Sequence, residues 1–458
     1  MTSPLALPPR PAVAPPARWQ FPVPRRHRLG NGVTILAHHL PGQHAATVIC
    51  HLGIPASAEP DGLDGIAAVM AASLGTGTQD ITSREFELRT AAAGITWKTE
   101  AAWTGPSIVL ELPARQIPAA LGLLRLAVAE PALDPADIAG QIQLAAASIA
   151  GADASPDTRV LRELPAAVYG DGHRAGRPAA GTLATVTRLT PDAIAGFYAG
   201  QVRPAATTIV IAADLTGLDP AALAEEAFAT WRDSRPAASG GVPQPDLVPL
   251  RPPAAVLVHQ PGAVQAQLLL ATPIPGRGHP GWNELQVAAK ILGAPITGRL
   301  DAEVRERSGN SYTVQAGLTE LIPGDGLLVV TGAVDGPSAP GTLAEIRDIL
   351  AAPLHDGFTA AEHAAATEAI TRTLPLAYET PALLAAATAD LAASGLAPDY
   401  LDLFLEDIAA LTAGHVNGAY KSYLGPDRLT LIAVGDADAL AGPLRDLAAP
   451  ASLQVVSA

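Results

Sequence analysis

The sequence predicts an α+β fold of two homologous domains, each a mainly antiparallel sheet with helices packed on one face. Three observations lead to it. The first is internal duplication: His39-Leu40-Pro41-Gly42 returns in the second half of the chain as His259-Gln260-Pro261-Gly262, and each copy leads into an apolar strand, a proline-containing loop and an alanine-rich helix. Strands rich in β-branched residues that end in Asp214 and Asp436 repeat at nearly the same spacing. A two-copy repeat this long marks a duplicated domain, since solenoid repeats run roughly 20–50 residues. The second observation is the mixing of strands with pairs of helices, which argues for helices segregated to one side of an antiparallel sheet. The third is composition, with 48% of the 458 residues apolar, much of this alanine, and only 16% charged. Globular proteins carry roughly 25% charged residues, so a sizeable core is expected and disorder is excluded for most of the chain. Length alone, at roughly 150 residues per domain, suggests three domains; the duplication argues for two.

The elements follow in order. Residues 1–24 are rich in proline and alanine, with arginines but no unbroken apolar run, and read as a disordered arm and not a secretory signal. In the N-terminal domain, 25–233, strands are expected at 33–37 and 46–52, helices at 63–73 and 83–93, and strands at 95–101 and 107–112. Thr82 with Glu85 forms a capping box for the second helix, and Gly94 supplies its left-handed stop. Helices at 114–129, 134–150, 156–169 and 191–199 precede a last strand at 207–214. Proline, glycine and serine cluster at 234–253, read as a linker and a hinge. The C-terminal domain, 254–458, repeats the plan with strands at 254–259 and 265–271, a helix opening at Pro280-Gly281 and a closing strand at 429–436.

A formal charge of −15 argues against nucleic acid or an anionic membrane as the main partner, and a cytoplasmic location is expected. The single cysteine, Cys50, lies in an apolar strand and reads as packing; it excludes a disulfide framework and multi-cysteine zinc clusters. Phosphate loops, a dinucleotide fingerprint after a strand and a serine nucleophile elbow are absent from the sequence. His38, His39, His44 and His51 crowd the first hairpin, but their spacing does not converge on one point as ligation of a metal requires.

The stretches Leu29-Gly30-Asn31-Gly32-Val33, Gly62-Leu63-Asp64, Leu74-Gly75-Thr76-Gly77-Thr78 and Gly172-His173-Arg174-Ala175-Gly176-Arg177-Pro178 carry a resemblance. In order and spacing they resemble the insulinase, pitrilysin and mitochondrial-processing-peptidase family of zinc metallopeptidases, over nearly the whole chain. The resemblance implies one half of a clam-shell metallopeptidase. Active members carry an inverted motif, H-x-x-E-H, in which two histidines one helical turn apart bind zinc and the glutamate activates water. That motif is expected at Asp64-Gly65-Ile66-Ala67-Ala68, with Asp64 for the first histidine and Ala67 and Ala68 for the glutamate and second histidine. The family's remaining ligand, a glutamate on a later helix, corresponds to Ala145. A lone carboxylate cannot hold a catalytic zinc, which needs three protein ligands, so no metal or other cofactor is expected in this chain.

The segment from Leu292 to Tyr312 is the closest local match, resembling the family's small-residue loop, helix and R-x(6)-Y signature, here Arg305 and Tyr312. In two-chain bacterial members one subunit holds zinc, and a zinc-less subunit supplies this arginine and tyrosine. The resemblance therefore implies a non-catalytic subunit whose Arg305 and Tyr312 hold a peptide carbonyl beside a partner's zinc. The expected partners are a catalytic subunit of the same family with intact H-x-x-E-H, forming a heterodimer, and a peptide or precursor leader as substrate. Gly309 would end the helix carrying Arg305 and let the chain turn into the strand carrying Tyr312. Arg305 could equally pair with Asp301 on a solvated helix face, with Tyr312 in the core. Two alternatives stay open: a homodimeric peptide-binding or scaffold protein, and an autonomous hydrolase with an unrecognised metal site.

Overall fold

The computed structural model describes residues 19–233, 250–448 and 452–457. The first half opens with strands β1 (Arg25–Arg28), β2 (Thr34–His39) and β3 (Ala45–Leu52), then helices α1 (Ile66–Ser73) and α2 (Ser83–Ala92). The hairpin β4 (Thr96–Ala102) and β5 (Gly105–Pro113) leads into α3 (Ile117–Ala129), α4 (Pro135–Ala154) and α5 (Pro156–Tyr169). Two helices, α6 (Leu183–Val186) and α7 (Pro191–Gln201), precede β6 (Thr207–Ala213) and α8 (Pro220–Phe228). The second half begins with β7 (Ala255–His259), β8 (Gln265–Pro275) and α9 (Gly281–Gly293), followed by a π-helix, Asp301–Arg307, and the hairpin β9 (Ser311–Ile322) and β10 (Asp325–Asp335). Helices α10 (Ala339–His355), α11 (Ala360–Thr373), α12 (Pro381–Ala393), α13 (Tyr400–Ala410) and α14 (Ala413–Tyr423) precede β11 (Thr430–Gly435), α15 (Ala437–Leu447) and β12 (Leu453–Ser457). None of the helices described is long and apolar enough to cross a membrane.

Local chemistry sets many of these boundaries. A Thr or Asp side chain accepts from the first-turn N–H groups at the start of α4, α7, α8 and α12, and proline follows at the first helical position. The cap satisfies an orphan donor, and the proline sits where its missing N–H costs nothing. Thr82 caps α2 as expected, accepting from Glu85 N–H at 3.3 Å, but the Glu85 side chain pairs with Arg89 instead of returning to Thr82. The α1 helix starts three residues later than expected because Gly65, at φ +90°, breaks the helical path.

Each half builds one six-stranded sheet, in the orders β1-β2-β6-β3-β5-β4 and β12-β7-β11-β8-β10-β9. The pairings β2·β6, β7·β11 and β7·β12 are parallel and the others antiparallel, so the α+β expectation holds. The repeated His-x-Pro-Gly motif ties the ends of the parallel pairs in both halves. Gly42 N–H donates to Asp214 Oδ2 at 2.9 Å and Leu215 N–H to His39 Nδ1 at 3.0 Å. Gly262 N–H donates to Asp436 Oδ2 at 3.1 Å and Ala437 N–H to His259 Nδ1 at 3.0 Å.

The two halves also exchange a helix. Val160, Leu164 and Val168 of α5 pack with Leu269, Leu327 and Ile432 of the second sheet. Reciprocally, Ala385 and Ala389 of α12 pack with Leu36, Ile49, Val109 and Val210 of the first. Each sheet is thus covered on one face by its own helices and on the other by a helix of the opposite half. That is why the central strand β3 is apolar almost throughout instead of alternating. The hinge expected at 234–253 falls mostly on residues 234–249, outside those described.

One expectation is corrected at the N-terminus. Residues 1–18 of the expected disordered arm lie outside those described, but 19–24 are packed. Phe21 is buried, its N–H donates to Asp402 Oδ1 at 2.8 Å, and Trp19 stacks on Tyr378 with centroids 6.1 Å apart. Aromatic burial against the second half outweighs the disordering bias of the surrounding prolines.

Candidate functional site

Along α1, Ile66, Ala67, Val69, Met70, Ala71 and Ser73 are buried, and only Ala68 and Ala72 are half-buried. These two lie one helical turn apart on one face. Ala72 lines a cavity of about 460 Å³ together with Trp97, Thr99, Asp137, Gln141 and Leu144. This geometry corrects the expected register of the degenerate motif. Asp64 precedes the helix, separated from it by the left-handed Gly65, and cannot form an i, i+4 ligand pair with Ala68. The window whose ends reach accessible space is 68–72, which puts Ala68, Ala71 and Ala72 at the histidine, glutamate and histidine positions. The same shift by one helical turn moves the third position from Ala145, which packs half-buried against the core, to buried Ile149. Neither register supplies a donor side chain on α4, so the residues present do not fit a zinc ion.

Asp64 does something else. Its carboxylate accepts from Arg177 Nε at 2.6 Å and Nη2 at 3.1 Å, and Arg174 Nε lies 3.3 Å away. Arg174 also donates to Glu59 Oε2, 2.6 Å from Nη2, and its guanidinium lies 5.7 Å from the centroid of the Trp103 ring. Glu59 in turn accepts from Gly65 and Ala67 N–H, each at 3.1 Å, and so caps α1 from a distance. Burial pushes the Glu59 carboxyl up, and Arg174 and the two N–H groups pull it down. The stretch Gly172 to Pro178 therefore holds the entrance of α1 with two guanidinium groups. Nothing in the sequence alone marks Glu59, Arg174 or Arg177 for this task, since their partners come together only through the fold.

The second half places Arg305 and Tyr312 together. Arg305 sits on the π-helix, whose i→i+5 pattern is seen in Ser308 N–H donating to Glu303 O at 2.9 Å. Gly309, at φ +67°, turns the chain toward β9 as expected. Strand pairing then shifts by one residue: Ser311 pairs with Val334 and Thr313 with Ala333, leaving Tyr312 as the extra residue of a β-bulge. Tyr312 is 89% exposed, which removes the core alternative. The Arg305 guanidinium carbon lies 6.0 Å from its ring centroid. Arg305 Nη1 also donates to both oxygens of Asp301, at 3.3 and 3.2 Å. Asp301 is only 3% exposed, so this i−4 pair anchors one edge of the guanidinium on a buried carboxylate instead of lying on a solvated face.

The four clustered histidines occupy separate settings. Burial lowers His38 to about 4, and its Nε2 lies 2.8 Å from Thr388 Oγ1 of α12. His39 serves the turn described above, and His44 is exposed. His51 is likewise lowered by burial to about 4, with Nδ1 3.1 Å from Ser107 Oγ. Cys50 is buried with its thiol pushed up to about 12, consistent with packing. Among the described residues, His259, Asp436 and Asp438 could approach one metal ion. Backbone N–H groups already engage His259 Nδ1 and both Asp436 oxygens, so turn closure accounts for that group.

Residues 188–370, which include Arg305 and Tyr312, match the family described as Peptidase M16 inactive domain. An uncharacterized zinc protease of Mycobacterium leprae (strain TN) is 24% identical over 341 residues, covering 74% of this chain and 75% of the relative. One from Mycobacterium tuberculosis (strain ATCC 25618 / H37Rv) is 25% identical over 348 residues, covering 74% and 76%. The solved peptidase M16 inactive domain from Pseudomonas fluorescens superposes with a TM-score of 0.76 at 20% identity, over 90% of this chain and 98% of that one. The chain resembles the insulinase, or M16, peptidase family, most directly over residues 188–370. A similar fold is found in a protease from Helicobacter pylori, with a TM-score of 0.79 at 15% identity over 90% of this chain and 100% of that one. A chain of Complex III2 from Candida albicans gives 0.75 at 16% identity, over 91% and 97%. The match over 188–370 does not include α1, whose accessible face is alanine.

Proposed function

We propose that this chain is the non-catalytic subunit of a two-chain zinc metallopeptidase, supplying Arg305 and Tyr312 to a catalytic subunit that carries intact H-x-x-E-H. The observation that carries the reading is the Tyr312 bulge: a phenol 89% exposed, beside a guanidinium anchored by a buried carboxylate, in a chain whose α1 face is alanine. An exposed tyrosine thrust out of a strand has no packing role to explain it. The partner's zinc would polarise a peptide carbonyl and activate water. On this side, Tyr312 O–H and the other edge of the Arg305 guanidinium would be the donors to the carbonyl oxygen. Asp301 holds the guanidinium through Nη1, so little side-chain freedom is lost when substrate binds. Such a donor contributes about 3–4 kcal/mol when it stabilises charge that develops on that oxygen.

The substrate class in this reading is a peptide or a precursor leader taken up between the two subunits. The test is co-expression with an intact M16 homologue encoded beside this chain, followed by size-exclusion chromatography and peptide cleavage. A stable heterodimer is expected, with cleavage by the complex and by neither chain alone. Arg305→Ala or Tyr312→Phe should lower turnover about a hundredfold or more while assembly survives. Turnover unchanged in both variants refutes the role of the pair.

A further inference from the structure

The bulge that exposes Tyr312 is itself built by one side chain. Thr313 and Ala333 are register partners across β9 and β10, yet the Ser311 hydroxyl stands between them. Ser311 Oγ accepts from Thr313 N–H at 3.2 Å and lies 2.6 Å from Ala333 O, the shorter of its two carbonyl contacts; the other is Thr313 O at 3.0 Å. A hydroxyl has one proton, so Ala333 O is the acceptor it serves. The side chain thus relays between the two strands at the place where the ladder is interrupted. With Ser311 buried at 8% exposure, the relay is shielded from exchange with solvent.

We infer that the Ser311 hydroxyl is a positioning group for Tyr312, clamping the bulge so that the phenol is held out toward bound peptide. The inference rests on the reading of Arg305 and Tyr312 given above. A methyl group at 311 can neither accept from Thr313 nor donate to Ala333. The bulge then loses the side-chain tie between its two strands and samples several geometries, and the phenol with it. Displacement of a catalytic donor by about 1 Å costs up to about a hundredfold in rate. Threonine at 311 keeps the hydroxyl and the relay.

Two measurements test this. In the full chain alone, hydrogen exchange of the Thr313 amide should accelerate about fivefold or more in Ser311→Ala and stay near the unmodified rate in Ser311→Thr; an unchanged rate in Ser311→Ala overturns the clamp whatever the protein does. In the assembled complex, Ser311→Ala should lower kcat about tenfold with KM little changed, and Ser311→Thr should restore it. Combined with Tyr312→Phe, Ser311→Ala should cost nothing further, since the clamp acts only through the phenol. A tenfold loss that persists in the Tyr312→Phe background marks a merely structural serine and overturns the positioning role. If Tyr312→Phe alone leaves turnover intact, the underlying reading of the site has failed, and the role of Ser311 falls with it.

Discussion

Acidification should loosen the contact between the two halves through His38 and His51. Both rings lie buried in the first sheet, His38 against Thr388 of α12, and burial lowers each from 6.5 to about 4. The Asp390 carboxylate on α12 pulls His51 partly back up. An unfolded chain takes up protons on both rings below pH 6.5, whereas the folded chain does so only below about 4. Their contribution is therefore fully present above pH 6.5 and is lost progressively as pH falls toward 4. A tenfold change in proton affinity is about 1.4 kcal/mol, so charging in place costs about 3 kcal/mol per ring, and about 4 kcal/mol for the two together is lost by pH 5. That is a large share of a stability of about 5–15 kcal/mol. The assay is urea unfolding at pH 7.5 and pH 5, comparing the unmodified chain with His38→Gln/His51→Gln. The unmodified chain should lose several kcal/mol more than the double variant between the two pH values. Equal losses would mean that neither ring resists charging in the folded state, which refutes the reasoning.

Two further predictions concern α1. Asp64→Ala strands Arg177 beside Arg174, and removing one partner of such a buried pair costs about 3–5 kcal/mol; thermal unfolding should fall sharply while the metal content of the protein does not change. Placing histidines at 68 and 72 puts two imidazoles one turn apart on the accessible face. Ala68→His/Ala72→His should gain zinc or nickel affinity by about tenfold or more over the unmodified chain in calorimetric titration, and the absence of any gain refutes the 68–72 register.

Much of the fold was legible because it is written in local chemistry. Aspartate or threonine followed by proline opens α4 and α7, close to the helices expected at 134–150 and 191–199, and Gly309 marks the turn before Tyr312. The duplicated His-x-Pro-Gly and the trailing aspartates were visible because both copies perform the same turn closure. The register of the lost zinc motif was harder to read: in Ile66-Ala67-Ala68-Val69-Met70-Ala71-Ala72 the buried and accessible alanines are the same residue, so the helical period leaves no trace. The π-helix and the Tyr312 bulge have no compositional signature, since each depends on a one-residue offset against a partner strand or turn. Trp19 and Phe21 were hidden in a proline-rich stretch, and their partners Tyr378 and Asp402 lie in the opposite half of the chain. The helix exchange is wholly tertiary and could not be read from either half alone.

That exchange sets a constraint on how the polypeptide is made. When a ribosome finishes β6 at Ala213, the strip formed by Leu36, Ile49, Val109 and Val210 has no cover, and its cover, Pro381–Ala393, is still untranslated. At about 5–20 residues per second the wait is about 10–35 s, long enough for a greasy, unlidded sheet to need a chaperone's shelter.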